Sequence, residues 1–478
     1  MKNIIMFTLG PLGTALLGVI TLPMLTWLFN QGDIGRLSLL QATISLAIML
    51  LTLGLDQSYI REFHEYKNKS RLLRMAMLPG FVLLIIMFLL IYFFDVELSF
   101  FIFDERNEFL TWLIYICIFS SFLARFFSLI LRMNENGLMY SLSQIFPKVL
   151  FLLFILFCFV FSLDNNLELL ICAQAMSLIG LTFFLFLSVR ENCKDLISLS
   201  FDIVKFKEMV SFGFPLILGG LAYWGLTISD RILIKELSTY EQLGLYSVAV
   251  SFCSAGVILQ AVFSTLWAPK VFKWIKEGVN LDRIDLISNY MLLGVILLFS
   301  LTGLLSWVSI YILPESYNKV YLLIITSIAA PLFYTLSEVT AIGIGVKKKT
   351  SFSMLASLTA FGVNLIGNVI FIPTFGAKAA SITTCISFWI FFIIRTEFSM
   401  IVWRNIPRCK LYSYTTLVML LSVLNTASSE KYIGVFILFW LLVLFSLFVT
   451  FKKEVSSCNG YLKVLLFKIG FISRFKKS

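Results

Sequence analysis

A chain that carries more than a dozen separate apolar runs, each close to twenty residues long and bounded by short polar turns, has one solvent open to it, the lipid bilayer. A membrane-crossing helix needs ~20 mostly apolar residues. Runs of that kind fall at 4–28, 36–57, 75–94, 109–131, 146–163, 167–188, 209–234, 243–266, 287–312, 320–344, 352–373, 377–396, 411–427 and 432–451. The thirteenth, with its serines and threonines, is the weakest, so twelve spans is the alternative count. Of 478 residues, 59% are hydrophobic and 14% charged, whereas soluble domains run to about half and a quarter. The expected fold class is an all-α integral membrane protein with about fourteen transmembrane helices. The first run is too long for the apolar stretch of a cleaved signal and reads as a retained span.

Lys and Arg set orientation, because they accumulate on the cytoplasmic side of short loops. Of the 38, all fall on one side of the alternating scheme except Arg36, Arg106, Arg231, Lys235, Lys319, Lys378 and Lys431. That side includes Arg61 to Arg74, Arg132 to Lys148, Arg190 to Lys207, Lys270 to Arg283 and Arg395 to Lys410. Acidic residues gather opposite, as in Asp95, Glu97, Asp104, Glu105 and Glu108. The expected placement is the bacterial inner membrane, multi-pass, with both termini cytoplasmic. The net charge of +11 is then spread over short loops facing anionic lipid, and nucleic acid is not an expected partner. The eight cysteines have neither metal-site nor disulfide spacing and read as packing residues. Residues 452–478 mix basic and apolar side chains like an interfacial helix.

The chain repeats a pattern. Gly10-Pro11-Leu12 leading to Ile34-Gly35-Arg36-Leu37-Ser38 is echoed by Gly213-Phe214-Pro215-Leu216 leading to Leu243-Gly244-Leu245-Tyr246-Ser247. Both copies start on the same side, which predicts two parallel six-helix lobes. The divisions are 1–190 for the N-terminal lobe, 191–208 for a cytoplasmic linker and 209–400 for the C-terminal lobe. Two extra helices follow at 401–451, then the tail at 452–478.

Three motifs carry a family resemblance: Leu53-Gly54-Leu55-Asp56 with Tyr59-x-Arg61-Glu62-Phe63; Ser229-Asp230-Arg231 with Gly244-x-Tyr246-Ser247; and Asn364-x-x-x-Asn368 with Pro373, Gly376, Ala379-Ala380 and Thr383. Together they resemble the Wzx-type polysaccharide-unit flippases, relatives of multidrug antiporters and lipid II flippases. The family commonly has Gly where Lys378 stands. The resemblance implies two lobes around a central cavity that opens alternately to either side. It implies an undecaprenyl-diphosphate-linked oligosaccharide as cargo, membrane lipids as surroundings, and the pathway's polymerase and chain-length regulator as partners.

Ionisable groups at membrane depth are costly and mark a wet interior or a pair. Arg61 and Arg125, near the inner face, are candidates to receive a diphosphate; the alternative is that they anchor in the headgroups. Asp230 and Arg231 are read either as a gate whose ion pairs break during transport or as a structural pair, and Lys235 is a further cation on the same span. Asp56 and Glu338 are candidates for coupling to H+ or Na+, with pairing to Arg61 the alternative for Asp56. Asn364 and Asn368 share a helix face and serve as interhelical glue or bind sugar. Tyr223 and Trp224 stack on a sugar or simply pack. No catalytic residue, metal site or bound cofactor is expected, because no loop is large enough to house one and no Walker A sequence is present. The rival functions are a multidrug or small-cation antiporter and, less favoured, a membrane polysaccharide polymerase.

Overall fold

The computed structural model describes residues 2–162, 164–193, 201–279, 281–428, 432–452 and 454. Residues 194–200 of the expected linker and nearly all of the expected tail lie outside them. The described chain is helical from end to end. In the first half run α1 Lys2–Leu28, α2 Gln31–Thr52, α3 Leu55–Glu62, α4 Lys69–Phe93, α5 Leu98–Phe103, α6 Glu108–Met133, α7 Gly137–Val160 and α8 Leu167–Cys193. There follow α9 Ile203–Leu237, α10 Tyr240–Phe252, α11 Ser254–Lys276, α12 Asp282–Leu305, α13 Ser309–Ile312, α14 Val320–Ser327, α15 Ala329–Thr340, α16 Ile342–Val346, α17 Thr350–Phe375, α18 Ala377–Val402, α19 Cys409–Ala427 and α20 Ile433–Thr450.

Local chemistry starts these helices where they start. Asn30, Asn68, Asn107, Asn136, Asp202 and Thr239 each stand just before a helix and accept the N–H three residues on. Each thereby satisfies a donor that the first turn would leave orphaned. Among the described residues, thirteen helical stretches are long and apolar enough to cross a membrane. Large apolar side chains such as Phe93, Phe445 and Val160 face outward, a surface that lipid solvates and water does not.

The exception among the long helices is α19, the expected thirteenth span. Its polarity has a structural cause: Thr415, Ser422 and Thr426 are buried against the protein. The Thr426 hydroxyl donates to the Leu322 carbonyl (2.7 Å) and meets Thr326 (3.1 Å) on α14. The Thr415 and Ser422 hydroxyls donate back to carbonyls of α19 itself, so these polar groups, which weaken its hydropathy, are all satisfied within the protein.

Three boundaries differ from the hydropathy reading. The second span begins at Gln31, capped by Asn30, and ends at Thr52. Leu53 and Gly54 then take left-handed backbone conformations (φ 50° and 68°) and α3 starts afresh. Asp56 is therefore in the first turn of a separate helix, not at the end of a span. The seventh span, α9, reaches back to Ile203, so the end of the expected 191–208 linker is helix. The twelfth span, α18, continues to Val402 and carries Arg395 inside it.

Helices α1 and α4–α8 pack mainly with one another and with α2, whose largest single contact is with α10; α9, α11, α12, α15, α17 and α18 form a second group. The groups meet where α2 and α3 run along α9 and α10. At one end of that seam Gly35 of α2 crosses Gly244 of α10 so closely that a Cβ on either would overlap the other helix's backbone. At the other end Gly54 and Gly213 touch backbone to backbone, and the positive φ of Gly54 adds a second reason for glycine.

Candidate functional site

A cavity of about 540 Å3 lies between α1, α2, α7 and α8 of the first group and the α10–α11 bend of the second. Its polar lining is Thr14, Thr21, Gln41, Gln144, Lys148, Gln174, Ser177, Ser251 and Ser254. Lys148 is the only charged residue lining it, and its Nζ donates to the Thr14 carbonyl at 2.9 Å. Gln41 Nε2 reaches Gln174 Oε1 at 3.5 Å, so two glutamines already face one another across the space. The sequence reading placed Lys148 at the end of a cytoplasmic segment. In the fold α7 begins at Gly137, which puts Lys148 about 16 Å along the helix at 1.5 Å per residue. The signal was present as spacing: Ser141, Gln144 and Lys148 recur at i, i+3 and i+7 and so share one face.

A second constellation lies in the other group. Asp230 on α9 is fully buried (0% exposed). Its carboxylate accepts from Tyr246 Oη (2.5 Å), Thr384 Oγ1 (2.5 Å) and Asn368 Nδ2 (2.6 Å). Asn368 Nδ2 also reaches Asn364 Oδ1 (3.0 Å), Asn364 Nδ2 donates to Thr384 Oγ1 (3.2 Å), and the Thr383 hydroxyl donates to Asn368 Oδ1. Four helices thus converge through neutral donors on one carboxylate, and among the described residues no cation lies within ion-pair distance of it. Two of the three motifs singled out in the sequence are this single network.

The other candidates are placed as follows. Arg231 Nε has no hydrogen-bond partner, and the residue forms no ion pair among the described residues. In this conformation Asp230 ties α9 to α10, α17 and α18 through neutral donors and not through an ion pair. Asp56 pairs with Arg125 (2.5 Å), not with Arg61, because the break at Gly54 turns it toward α6. Arg61 instead stacks on Phe212 (4.3 Å) and lies 3.7 Å from Glu62. Glu338 is not isolated: Arg395 of α18 reaches it at 3.2 Å and donates to Ser337 at 2.8 Å. The guanidinium also lies over the rings of Tyr334 and Phe391. Tyr223 packs on those same two rings, away from the cavity. Trp224 bridges the groups, its Nε1 donating to Ser45 Oγ at 2.9 Å. None of the candidate binding or coupling residues named from the sequence lines the 540 Å3 cavity, although Pro11 and Leu37 of the repeated pattern do.

Both ends of the seam carry polar locks. Near Gly35, Arg36 meets Asp33 (3.3 Å) and Glu105 (3.1 Å) and stacks on Tyr240 (4.7 Å), while Lys235 meets Asp104 (3.0 Å). Near Gly54, Lys205 meets Glu62 (2.7 Å), Ser58 donates to the Met209 carbonyl (2.6 Å) and Tyr66 reaches Asp202 (3.4 Å). Among the described residues no cluster of three or more His, Cys, Asp or Glu is placed to hold a metal ion.

The described chain is thus a polytopic helical bundle of two packed groups with a cavity between them and a buried polar network in the second. The family described as "Polysaccharide biosynthesis protein" matches residues 1–274, and the chain belongs to that family. The fold is shared with solved transporters. A lipid II flippase, MurJ, in an inward-closed conformation aligns with a TM-score of 0.68 at 14% identity, covering 94% of this chain and 99% of that one. An inward-facing multidrug-resistance MATE transporter of the MOP superfamily aligns at 0.55 and 14% identity, covering 83% of this chain and 93% of its own. Its outward-facing counterpart aligns at 0.53 and 12%, covering 84% and 95%. No curated protein sequence matches.

Proposed function

We propose that the protein is a flippase that carries an undecaprenyl-diphosphate-linked oligosaccharide repeat unit, of O-antigen or a similar surface polysaccharide, from the cytoplasmic to the periplasmic leaflet of the inner membrane. The observation that carries this reading is the charge of the cavity. Its one ionised lining group is the ammonium of Lys148, and no carboxylate lines it. A lysine in a partly dry cavity is a point-charge partner for a phosphate. Glutamine amides and hydroxyls, which both donate and accept, suit sugar hydroxyls. The volume lies within the range of ~300–1,000 Å3 typical of ligand pockets. A drug-cation antiporter, the nearest alternative, would place an acid where this cavity has a base. The polymerase reading finds no support in the transporter folds that the chain resembles.

Transport would proceed by opening one end of the seam while the other stays locked, with the lipid tail left in the bilayer. Coupling is assigned to Asp230. A carboxylate buried among neutral donors carries an unbalanced charge, which is expensive in a low-dielectric interior. A proton or a sodium ion held by Asp230, the Asn368 and Asn364 carbonyls and the Thr384 hydroxyl would balance it; such hard oxygen donors suit a hard cation. Glu338 and Asp56, each held by an arginine, are less suited to that task than the sequence suggested.

The test is export in cells lacking the chromosomal gene. Wild-type protein restores surface polysaccharide, Lys148→Ala at equal membrane level does not, and Lys148→Arg restores part of it. Full export by Lys148→Ala would overturn the reading.

A further inference from the structure

On the flank of the second group, between α11 and α12, runs a groove separate from the transport cavity. Leu259, Val262, Phe263, Leu266, Trp267 and Lys270 form one stripe of α11, and Ile287 of α12 supplies the facing wall, enclosing about 250 Å3. All the walls are apolar until Lys270. That lysine is exposed, and among the described residues no carboxylate pairs with it. The nearest acid on α12, Asp285, is already held by Arg404 at 2.6 and 3.0 Å. Trp267 is 3% exposed and stacked on Phe263 (5.2 Å), yet its indole N–H has no acceptor in the protein.

We propose that this groove is a binding site for one anionic glycerophospholipid of the leaflet on the basic side, with an acyl chain along the stripe and the phosphate at Lys270. Three features converge on that occupant. The stripe from Leu259 to Lys270 is twelve residues, about 16 Å from end to end, which matches half of a ~30 Å hydrocarbon core. An acyl chain of one leaflet fits that length, whereas a long prenyl chain exceeds it. The unpaired lysine at the headgroup end, with Lys273 and Lys276 following within two turns, supplies the charge that selects an anionic over a zwitterionic lipid. At the same end Trp267, stacked on Phe263, gives the wall a flat apolar face against which an acyl chain can pack. The wall offers nothing to a sugar, so the site is not a second cargo site, and the inference stands whatever the transported molecule is.

Native mass spectrometry of the purified full-length chain, titrated with palmitoyl-oleoyl phosphatidylglycerol or the phosphatidylcholine of the same chains, tests it. The expected result is one phosphatidylglycerol retained in preference to phosphatidylcholine, bound about ten-fold more weakly by Lys270→Ala. Val262→Trp, which fills the groove and leaves every charge in place, should lose the preference as well. Equal retention of the two lipids, or undiminished phosphatidylglycerol binding in either variant, would overturn the proposal. Displacement of the lipid by equimolar farnesyl diphosphate would also overturn it, by giving the groove to a prenyl diphosphate instead.

Discussion

The two helix groups hold opposite charges in opposite ways. The first carries an ammonium, Lys148, exposed on the wall of the cavity it shares with the second and donating to the Thr14 carbonyl. The second is solid at the corresponding polar spot and holds a carboxylate, Asp230, wrapped by Tyr246, Asn368 and Thr384. Among the described residues neither charge has a counter-ion, whereas Arg125 is paired with Asp56 and Arg395 with Glu338. In the proposed function the difference separates charges held by the fold from charges that meet a ligand: an anion at Lys148, a small cation or proton at Asp230.

Substitutions can break that comparison at several depths. The largest effect is expected at the cavity, where Lys148→Ala should lower export on the order of 10–100-fold, the worth of one charge-assisted contact. Asp230→Asn removes the unbalanced charge and keeps the hydrogen-bonding shape. It should leave the protein folded and able to bind cargo while abolishing the dependence of transport on the ion gradient, read in proteoliposomes with imposed proton or sodium gradients. A retained gradient response would move coupling elsewhere.

Glu338→Gln should behave in the reverse manner. It strands Arg395 in a mostly buried setting and should destabilise the protein by roughly 3 kcal/mol, read by thermal unfolding in detergent, with ion dependence intact. At the seam, Gly244→Val drives side-chain atoms into the Gln31 backbone and should hold that end apart, which cysteine cross-linking across α2 and α10 would report as loss of the cross-link.

The smallest effect concerns Asp202, the exposed cap of α9. The Lys205 N–H it accepts, and after that Arg71 and Tyr66, hold its carboxyl below the usual 3.8. A depressed folded-state value means its contribution is complete above the unfolded pKa and is lost as pH falls through the folded one. Acidification below about pH 4 should therefore loosen the Tyr66–Asp202 contact slightly, and Asp202→Asn should remove that pH dependence.

Much of the fold was legible because lipid imposes one period and one length on every span. The motifs were legible for a related reason: Asp230, Tyr246, Asn364, Asn368 and Thr383 are polar residues in apolar helices, and each needs a partner there. What escaped were charges near the edges of apolar runs. Counting lysines and arginines by side assigns an edge residue to a loop, yet Lys148 and Arg395 stand just inside the edges of their apolar runs, and α7 and α18 continue beyond them. The partners of Asp56 and Glu338 escaped for a different reason. They come from helices distant in the chain, and spacing within a span says nothing about them.

The most direct test of the account is equilibrium binding of a purified undecaprenyl-diphosphate-linked oligosaccharide to wild-type, Lys148→Ala and Asp230→Asn protein in nanodiscs. Binding lost in Lys148→Ala and kept in Asp230→Asn is the result expected from a cargo cavity in the first group and an ion site in the second. Wild-type affinity in Lys148→Ala would contradict it.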